Sequence, residues 1–211
     1  MRPYLINSAP QGTDAWLSAR AGKATGSRAK DILAKIKTGE AATRRKYRTQ
    51  LVTERLTGKP QESGFINDAM KWGTDQEPHA RRAYEAHTGY IVTEAGFIYL
   101  EDVMTGCSVD GLVEDDGMAE YKCPNSDTHV DWIEAGVLPS EHKPQILHNF
   151  WVTGRQWCDF ASFDPRLPEN LQLFVVRYDR IEDEIKAYES EVLQFLDEVS
   201  AMENRLRLRA A

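Results

Sequence analysis

Residues 106–125 read GCSVDGLVEDDGMAEYKCPN, and they decide the fold because they predict two antiparallel strands joined by an acidic turn. The turn is predicted at residues 115–117, where Asp-Asp-Gly suits a type I turn followed by a residue with positive φ. Gly117 is expected at that strained position, since glycine adopts positive φ without a steric penalty. This three-residue turn pairs Glu114 with Met118.

The predicted register places Asp110, Glu120 and Lys122 on one face of the hairpin, because side chains alternate between the two faces of a strand. A four-residue loop would pair Val113 with Met118 instead, and it would point Asp110 away from Glu120. The glycine at the end of the shorter turn favours the first register. The hairpin therefore predicts two converging carboxylates with an ammonium group beside them.

Two carboxylates on one face repel each other, and each resists ionisation unless a cation neutralises the pair. Carboxylate and carbonyl oxygens are hard ligands that suit Mg²⁺ or Mn²⁺. A neighbouring lysine can orient the attacking water and offset the charge of a phosphate group. The spacing Asp110-x9-Glu120-x-Lys122 therefore suits metal-dependent hydrolysis of a phosphodiester. A solvated hairpin edge is the alternative interpretation of the same three residues.

Length and composition indicate a soluble globular protein. The chain has 211 residues, enough for one large core, and residues 1–211 are predicted to form a single domain. It contains neither an apolar run of about 18 residues nor the apolar segment of a signal peptide, so no membrane span is expected. Its three widely spaced cysteines suit reduced thiols in a cytoplasm.

The net charge of −7 argues against a generally basic surface for nucleic acid. The charge is uneven, however, because residues 23–59 carry an excess of lysine and arginine. Within them, a cluster on a predicted helix is a candidate lining for a DNA channel, and a solvated helix face is the alternative. The cluster consists of Arg44, Arg45, Lys46 and Arg48.

Periodicity and turn residues predict helices that flank a central mixed sheet, which makes an α/β or α+β domain. Helices are predicted at residues 15–20, 28–37, 43–57, 67–87, 144–153 and 180–207. Strands are predicted at residues 90–93, 96–100, 107–113, 118–123, 156–163 and 171–178.

The acidic motif resembles that of the PD-(D/E)xK nuclease superfamily, with Val109 at the place of the motif proline. Further blocks in the same order resemble the phage lambda exonuclease or YqaJ-type viral recombinase family, over residues 13–180. Residues 181–211 remain as a C-terminal helix. The blocks are Trp16-x3-Arg20-x-Gly22-x2-Thr25-Gly26-Ser27, Gly73-x3-Glu77-Pro78-x-Ala80, Cys107-Ser108-x-Asp110-Gly111-Leu112, Glu120-x-Lys122-Cys123-Pro124, Gln145 with Trp151-Val152-Thr153, and Phe160-x2-Phe163-Asp164-Pro165-Arg166.

The resemblance implies a restriction-endonuclease-like core and a Mg²⁺-dependent exonuclease. Such an enzyme digests one strand of duplex DNA from the 5′ end to mononucleotides, and it leaves 3′ overhangs for recombination by strand annealing. It also implies two metal ions per site, with Mn²⁺ able to substitute, and a ring-shaped homotrimer threaded by DNA. A single-strand annealing protein would be its partner, in the cytoplasm of a bacterial host of a phage or prophage. An endonuclease of the same fold and a catalytically silent DNA-binding module are the alternatives.

The resemblance also assigns roles to individual residues. Asp110, Glu120 and the backbone carbonyl of Tyr121 match the metal ligands, and Lys122 matches the catalytic lysine. Glu77 matches an additional acid near a second metal, and it is expected in the first turn or so of its helix, with its side chain projecting toward the sheet. An acid at a helix N-terminus that the dipole favours is the alternative interpretation.

A second group of residues is assigned to DNA. Arg20 matches an arginine that grips the 5′ phosphate with two donors, and Thr25 and Ser27 match hydroxyl residues beside it. Capping of the following helix is the alternative role for these hydroxyls. Gln145 matches a glutamine expected to contact the DNA or the lysine, and a buried helix-capping role or a surface role is the alternative.

Overall fold

The computed structural model describes residues 3–61 and 68–210, which form two mixed sheets flanked by helices. The helices are α1 (Asp14–Arg20), α2 (Ala29–Ile32), α3 (Ala42–Thr57), α4 (Asp68–Thr88), α5 (Ser126–Ala135), α6 (Lys143–Thr153) and α7 (Glu182–Ala210). The strands are β1 (Tyr4–Asn7), β2 (Ala24–Thr25), β3 (Val92–Thr93), β4 (Phe97–Leu100), β5 (Thr105–Cys107), β6 (Gly111–Val113), β7 (Gly117–Lys122), β8 (Trp157–Phe163) and β9 (Leu173–Asp179).

The smaller sheet has the strand order β1-β4-β5-β2, and the larger has the order β3-β6-β7-β8-β9. Each contains one parallel pair, β2 with β5 and β7 with β8, among antiparallel neighbours. The predicted α/β class is thereby confirmed. The single central sheet of the prediction is divided into two.

The division falls inside the strand that the sequence predicts at residues 107–113. Its first part is β5, which pairs with β4 and β2, and its last part is β6, which pairs with β3 and β7. The chain crosses between the sheets at residues 108–110, where Ser108 accepts a hydrogen bond of 2.9 Å from the Trp16 indole. Asp110 therefore lies at the junction of the two sheets.

Helices cover both faces of the β7–β8 pair. Met118 and Phe160 belong to the apolar core that includes α6 and α7. Ala119 and Ala161 belong to a second core, formed with residues of α4 such as Tyr84. Since both faces are covered, every residue of β8 is buried, and the strand does not show the alternation of a half-exposed strand. A parallel pair requires a crossover connection, and α5 and α6 supply it.

Several predicted elements differ from the observed ones. The helix predicted at residues 28–37 ends at Ile32, after a 3₁₀ turn at Gly26–Arg28. The prediction omitted β1, which pairs with the distant β4, and it omitted the ten-residue helix α5. The predicted start of α4 at Asn67 lies outside the described residues. No helix in the described part of the chain is long and apolar enough to cross a membrane.

Candidate active site

The hairpin between β6 and β7 has neither of the two registers considered from the sequence. Val113 pairs with Gly117 and Leu112 with Met118, so the loop consists of residues 114–116. The predicted pairing is therefore displaced by two residues. Because a displacement of two keeps each side chain on its face, Asp110 and Glu120 still share one face.

Gly117 is the first residue of β7, and the predicted positive φ at this position is wrong. The residue with positive φ is Glu114, at 47°. Gly117 meets a different constraint, since a Cβ atom there would lie 2.1 Å from Cζ2 of Trp157. The indole nitrogen of Trp157 in turn donates a 3.0 Å hydrogen bond to Asp116. The glycine therefore permits the close approach of an indole to the end of the hairpin.

The structure brings Asp110, Glu120 and Lys122 together at the end of β7. Asp110 accepts a 2.8 Å hydrogen bond from the backbone N–H of Tyr121. Lys122 donates from Nζ to Oε1 of Glu120 at 2.5 Å, and Glu120 is only 1% exposed. These contacts hold the three charged groups on one side of the strand.

Burial determines the electrostatics of this cluster. Burial and the charge of Asp110 raise the pKa of Glu120 to about 7, although Lys122 acts in the opposite direction. Burial likewise raises the pKa of Asp110. Burial alone would lower the pKa of Lys122, but the two carboxylates raise it above its usual value. The two carboxyl groups therefore resist ionising together beside a single lysine, and a bound cation would favour their charged forms.

Two amide side chains from α6 hold the carboxylate of Glu120. Gln145 donates from Nε2 to Oε1, and Asn149 donates from Nδ2 to Oε2 at 3.3 Å. Residues four apart lie on the same face of a helix, so one face of α6 presents both amides. Gln145 contacts the carboxylate rather than the lysine. Asn149 was not predicted, although its spacing from Gln145 is a signal that the sequence contains.

Glu77 lies in the middle of α4, so the predicted place in the first helical turn is wrong, and the dipole explanation for this acid does not apply. Pro78 follows inside the helix, where proline cannot donate the hydrogen bond to the carbonyl of Thr74. Burial and the charge of Asp110 raise the pKa of Glu77 to about 7, and Lys122 lowers it. Glu77 is therefore close enough to sense the charges at the end of β7.

The donor set fits a divalent cation in its chemistry. Asp110 and Glu120 supply carboxylate oxygens, and Tyr121 points its N–H toward Asp110. Because the N–H and C=O of a strand residue point to the same side, the Tyr121 carbonyl faces Asp110 as well. Within residues 3–61 and 68–210, no three His, Cys, Asp or Glu side chains lie close enough to form a metal cluster. A metal ion beside Asp110 and Glu120 would therefore have two carboxylates and the Tyr121 carbonyl as its protein ligands.

Arg20 lies in a small pocket beside the end of α1. Its guanidinium stacks 3.8 Å from the centre of the Trp16 ring. Lys23 and Arg28 line the same pocket, together with Thr25. Neither Lys23 nor Arg28 was predicted to have a role, although both lie close to Arg20 in sequence. Three cations and the carboxylate of Glu54 therefore line this pocket, and Arg28 also pairs with Asp31 at 2.5 Å.

Thr25 and Ser27 do not cap the helix that follows them. Thr25 makes no side-chain capping bond, and its backbone N–H donates instead to the Tyr47 hydroxyl at 2.9 Å. The two hydroxyls lie 3.4 Å apart, with Ser27 exposed. Between them, a Cβ atom on Gly26 would lie 2.7 Å from Oδ1 of Asn149. The cationic pocket is therefore next to the amides that hold Glu120.

The basic cluster of α3 divides into two pairs. Arg44 makes two hydrogen bonds to Glu198, at 2.6 and 3.0 Å. Arg48 pairs with Glu198 and Glu40. These ion pairs with α7 and the α2–α3 loop neutralise both arginines within the chain, which argues against a channel lining. Arg45 and Lys46 line an exposed groove on another face of α3 and stay candidates for DNA contact.

His148 is buried on α6. Its Nδ1 lies 2.7 Å from the Tyr188 hydroxyl, and its Nε2 lies 3.0 Å from the Gly106 carbonyl oxygen. Burial lowers the pKa of His148 to about 4, so the ring is neutral at physiological pH. Its position indicates a packing role.

Comparison with known proteins identifies the family. A family model described as the YqaJ-like viral recombinase domain matches residues 15–156. No curated protein sequence matches the chain. The alkaline exonuclease LHK-Exo from Laribacter hongkongensis is 43% identical, with a TM-score of 0.85 over 94% of this chain and 98% of that chain.

A structure of LHK-Exo in complex with dAMP has the same identity and coverage, with a TM-score of 0.86. A phage related exonuclease from Haemophilus somnus 129PT is 13% identical, with a TM-score of 0.65 over 87% of this chain and 96% of that chain. The last comparison shows a similarity of fold.

Proposed function

The chain belongs to the YqaJ-like viral recombinase family, and from this premise we propose that it is a Mg²⁺-dependent exonuclease that degrades one strand of duplex DNA from the 5′ end. Its products are 5′-mononucleotides and 3′ single-stranded overhangs for recombination by strand annealing. The 43% identity to LHK-Exo, a protein named as an alkaline exonuclease, supports the nuclease activity.

The observation that carries the proposal is the buried cluster at the end of β7. A binding module has no need for two mutually repelling carboxylates held in place by a lysine and by amides from α6. A hydrolase does need them, since the cluster presents hard oxygen ligands beside a fixed ammonium group. Burial of Glu120 excludes water from its carboxylate and strengthens every charge interaction there.

Asp110, Glu120 and the Tyr121 carbonyl would hold one Mg²⁺ ion, and Mn²⁺ has the same preference for oxygen ligands. Glu77 would contribute to a second. A divalent cation at this position acidifies water and stabilises the charge that develops on the phosphate. Gln145 orients the Glu120 carboxylate, while the Lys122 ammonium offsets the charge of the scissile phosphate.

The pocket at Arg20 is the proposed site of the 5′ phosphate. A guanidinium offers two parallel donors to phosphate oxygens, and the hydroxyls of Thr25 and Ser27 add further donors. Lys23 adds positive charge to the pocket, while Arg28 is paired with Asp31. Since the pocket adjoins the α6 amides, a terminal phosphate bound there would lie near the acidic cluster. A preference for 5′-phosphorylated ends would follow.

The remaining properties are proposed from family membership. They are a ring-shaped homotrimer threaded by duplex DNA, a single-strand annealing protein as partner, and expression in a bacterial cytoplasm from a phage or prophage genome. Arg45 and Lys46 would then face the duplex, because they are exposed on α3.

Digestion of a linear duplex, labelled at either 5′ end and incubated with and without Mg²⁺, tests the proposal. Release of labelled mononucleotides from 5′ ends, lost on Lys122→Ala substitution, supports it. Cleavage of closed circular DNA would support an endonuclease of the same fold instead. Equal inactivity of the wild type and the variant, even with Mn²⁺, would support a catalytically silent DNA-binding module.

A further inference from the structure

Glu54 on α3 is a buried carboxylate at the cationic pocket, and among the described residues it accepts hydrogen bonds from neutral groups. It is 4% exposed, and it lines the pocket that contains Arg20. Its Oε2 accepts the backbone N–H of Gly22 at 2.7 Å. Its Oε1 accepts from Gln50 Nε2 and from the backbone N–H of Gln61, each at 3.0 Å. One carboxylate thus joins α3 to Gly22 and to Gln61, whose neighbours Lys23 and Pro60 line the pocket.

Gly22 is held from both sides by consecutive residues of α3. While Glu54 accepts its N–H, Arg55 donates from Nε to its carbonyl oxygen at 2.9 Å. The backbone of Gly22 has φ of +74°, and a Cβ atom there would lie 2.8 Å from Cγ of Arg55. A glycine and the side chains of Glu54 and Arg55 therefore hold the loop between Arg20 and Lys23 against α3.

Charge explains why a carboxylate occupies this place. A carboxylate near an anion pocket repels a phosphate, and hydrogen bonds from N–H groups offset part of its charge. The oxygens of Glu54 face N–H donors of the pocket wall, and hydrogen bonds to a charged acceptor are about twice as strong as neutral ones. The carboxylate therefore fixes the wall more firmly than a neutral acceptor would.

We propose that Glu54 is a positioning residue for recognition of the 5′ phosphate, which it serves by fixing the Arg20–Lys23 loop against α3. This inference rests on the proposed function, since it assigns the phosphate pocket a determinant that does not itself touch DNA. The loop carries two of the pocket cations, so a displaced loop lowers the affinity for a terminal phosphate. Ends that carry a 5′ hydroxyl make no such contact and are unaffected.

The test compares kcat/KM for duplexes that differ only in a 5′ phosphate or a 5′ hydroxyl. In Glu54→Ala the ratio of the two values should fall about tenfold or more, through a higher KM on the phosphorylated end, as expected when a binding group is misplaced. Glu54→Gln keeps one acceptor oxygen and should be intermediate. Melting temperatures of both variants establish that they fold.

Glu85→Gln is the matched control, because Glu85 is also a helix carboxylate that accepts a backbone N–H, that of Val92, outside the pocket. It should leave the ratio unchanged. An equal fall on both ends in Glu54→Ala, or an unchanged ratio in a folded Glu54→Ala or Glu54→Gln variant, would overturn the inference. A wild type without preference for phosphorylated ends would overturn the proposed 5′-phosphate recognition itself, and this inference with it.

Discussion

The close approach between Gly117 and Trp157 leads to a prediction that separates two explanations of the hairpin. Gly117 does not have positive φ, so its requirement for glycine is steric. A Cβ atom at this position would lie 2.1, 2.3 and 2.4 Å from three carbon atoms of the Trp157 indole. Gly117→Ala should therefore force the indole or the strand to move.

The expected change in unfolding free energy for Gly117→Ala is the sum of two opposing effects. Overpacking of a filled core costs about 1–3 kcal/mol of unfolding free energy. Replacing a compatible glycine by alanine recovers about 0.4–1 kcal/mol, because the unfolded chain loses entropy. The net loss should be about 1–2 kcal/mol, which corresponds to a fall in melting temperature of roughly 2–8 °C for a chain of this size.

A double-mutant cycle with Trp157→Leu measures the contact. If the clash is with the indole, Gly117→Ala should cost less than about 0.5 kcal/mol when residue 157 is leucine, in urea unfolding monitored by circular dichroism. Gly136→Ala is the control, since Gly136 has φ of +63° and no atom within 4 Å of its Cβ position. Its cost arises from backbone strain and should persist beside Leu at 157. An unchanged cost of Gly117→Ala in the Trp157→Leu background would refute the steric explanation.

Arg45→Ala should weaken DNA binding and reduce the slope of log K against log salt by about 0.9, the value for one phosphate contact, when affinity is titrated with salt. Arg44→Ala should instead lower the unfolding free energy, because it leaves Glu198 without one of its partners. Because burial lowers the pKa of His148 to about 4, the unfolded chain takes up this proton first, and stability should fall between pH 6.5 and 4. The free energy of unfolding should fall by about 3 kcal/mol over this range. In the His148→Gln variant, unfolding free energies measured over the same pH range should not show this fall. Removal of divalent cations with EDTA should stop DNA digestion without unfolding the chain, and added Mg²⁺ should restore it.

In the acidic hairpin, the sequence predicts which side chains share a face but does not predict the strand register. The period of two placed Asp110, Glu120 and Lys122 on one face, and that placement agrees with the structure despite a register displaced by two residues. The register itself depends on which residue of the loop takes positive φ. Glu114 takes it, because Gly117 is held in β7 against the indole from β8, a contact between segments far apart in the chain.

Pairing between distant segments likewise explains the elements that pattern reasoning missed. Residues 107–113 have the composition of one strand, and only the partners of β5 and β6 divide it between two sheets. In the same way, the sequence does not distinguish among the four basic residues of the α3 cluster, Arg44, Arg45, Lys46 and Arg48. The tertiary structure distinguishes them, because α7 places Glu198 where it pairs with Arg44 and Arg48.

The sequence by itself determined the α/β class, the hairpin and the acids that share a face, because helical and strand periods are local properties of neighbouring residues. Family resemblance in the motifs extended this to the expected chemistry. Only the tertiary structure decided that α6 holds Glu120 through Gln145 and Asn149, and that Glu54 anchors the loop of the cationic pocket. Such contacts join residues separated by tens of positions, and their geometry exists only after the sheets and helices have packed.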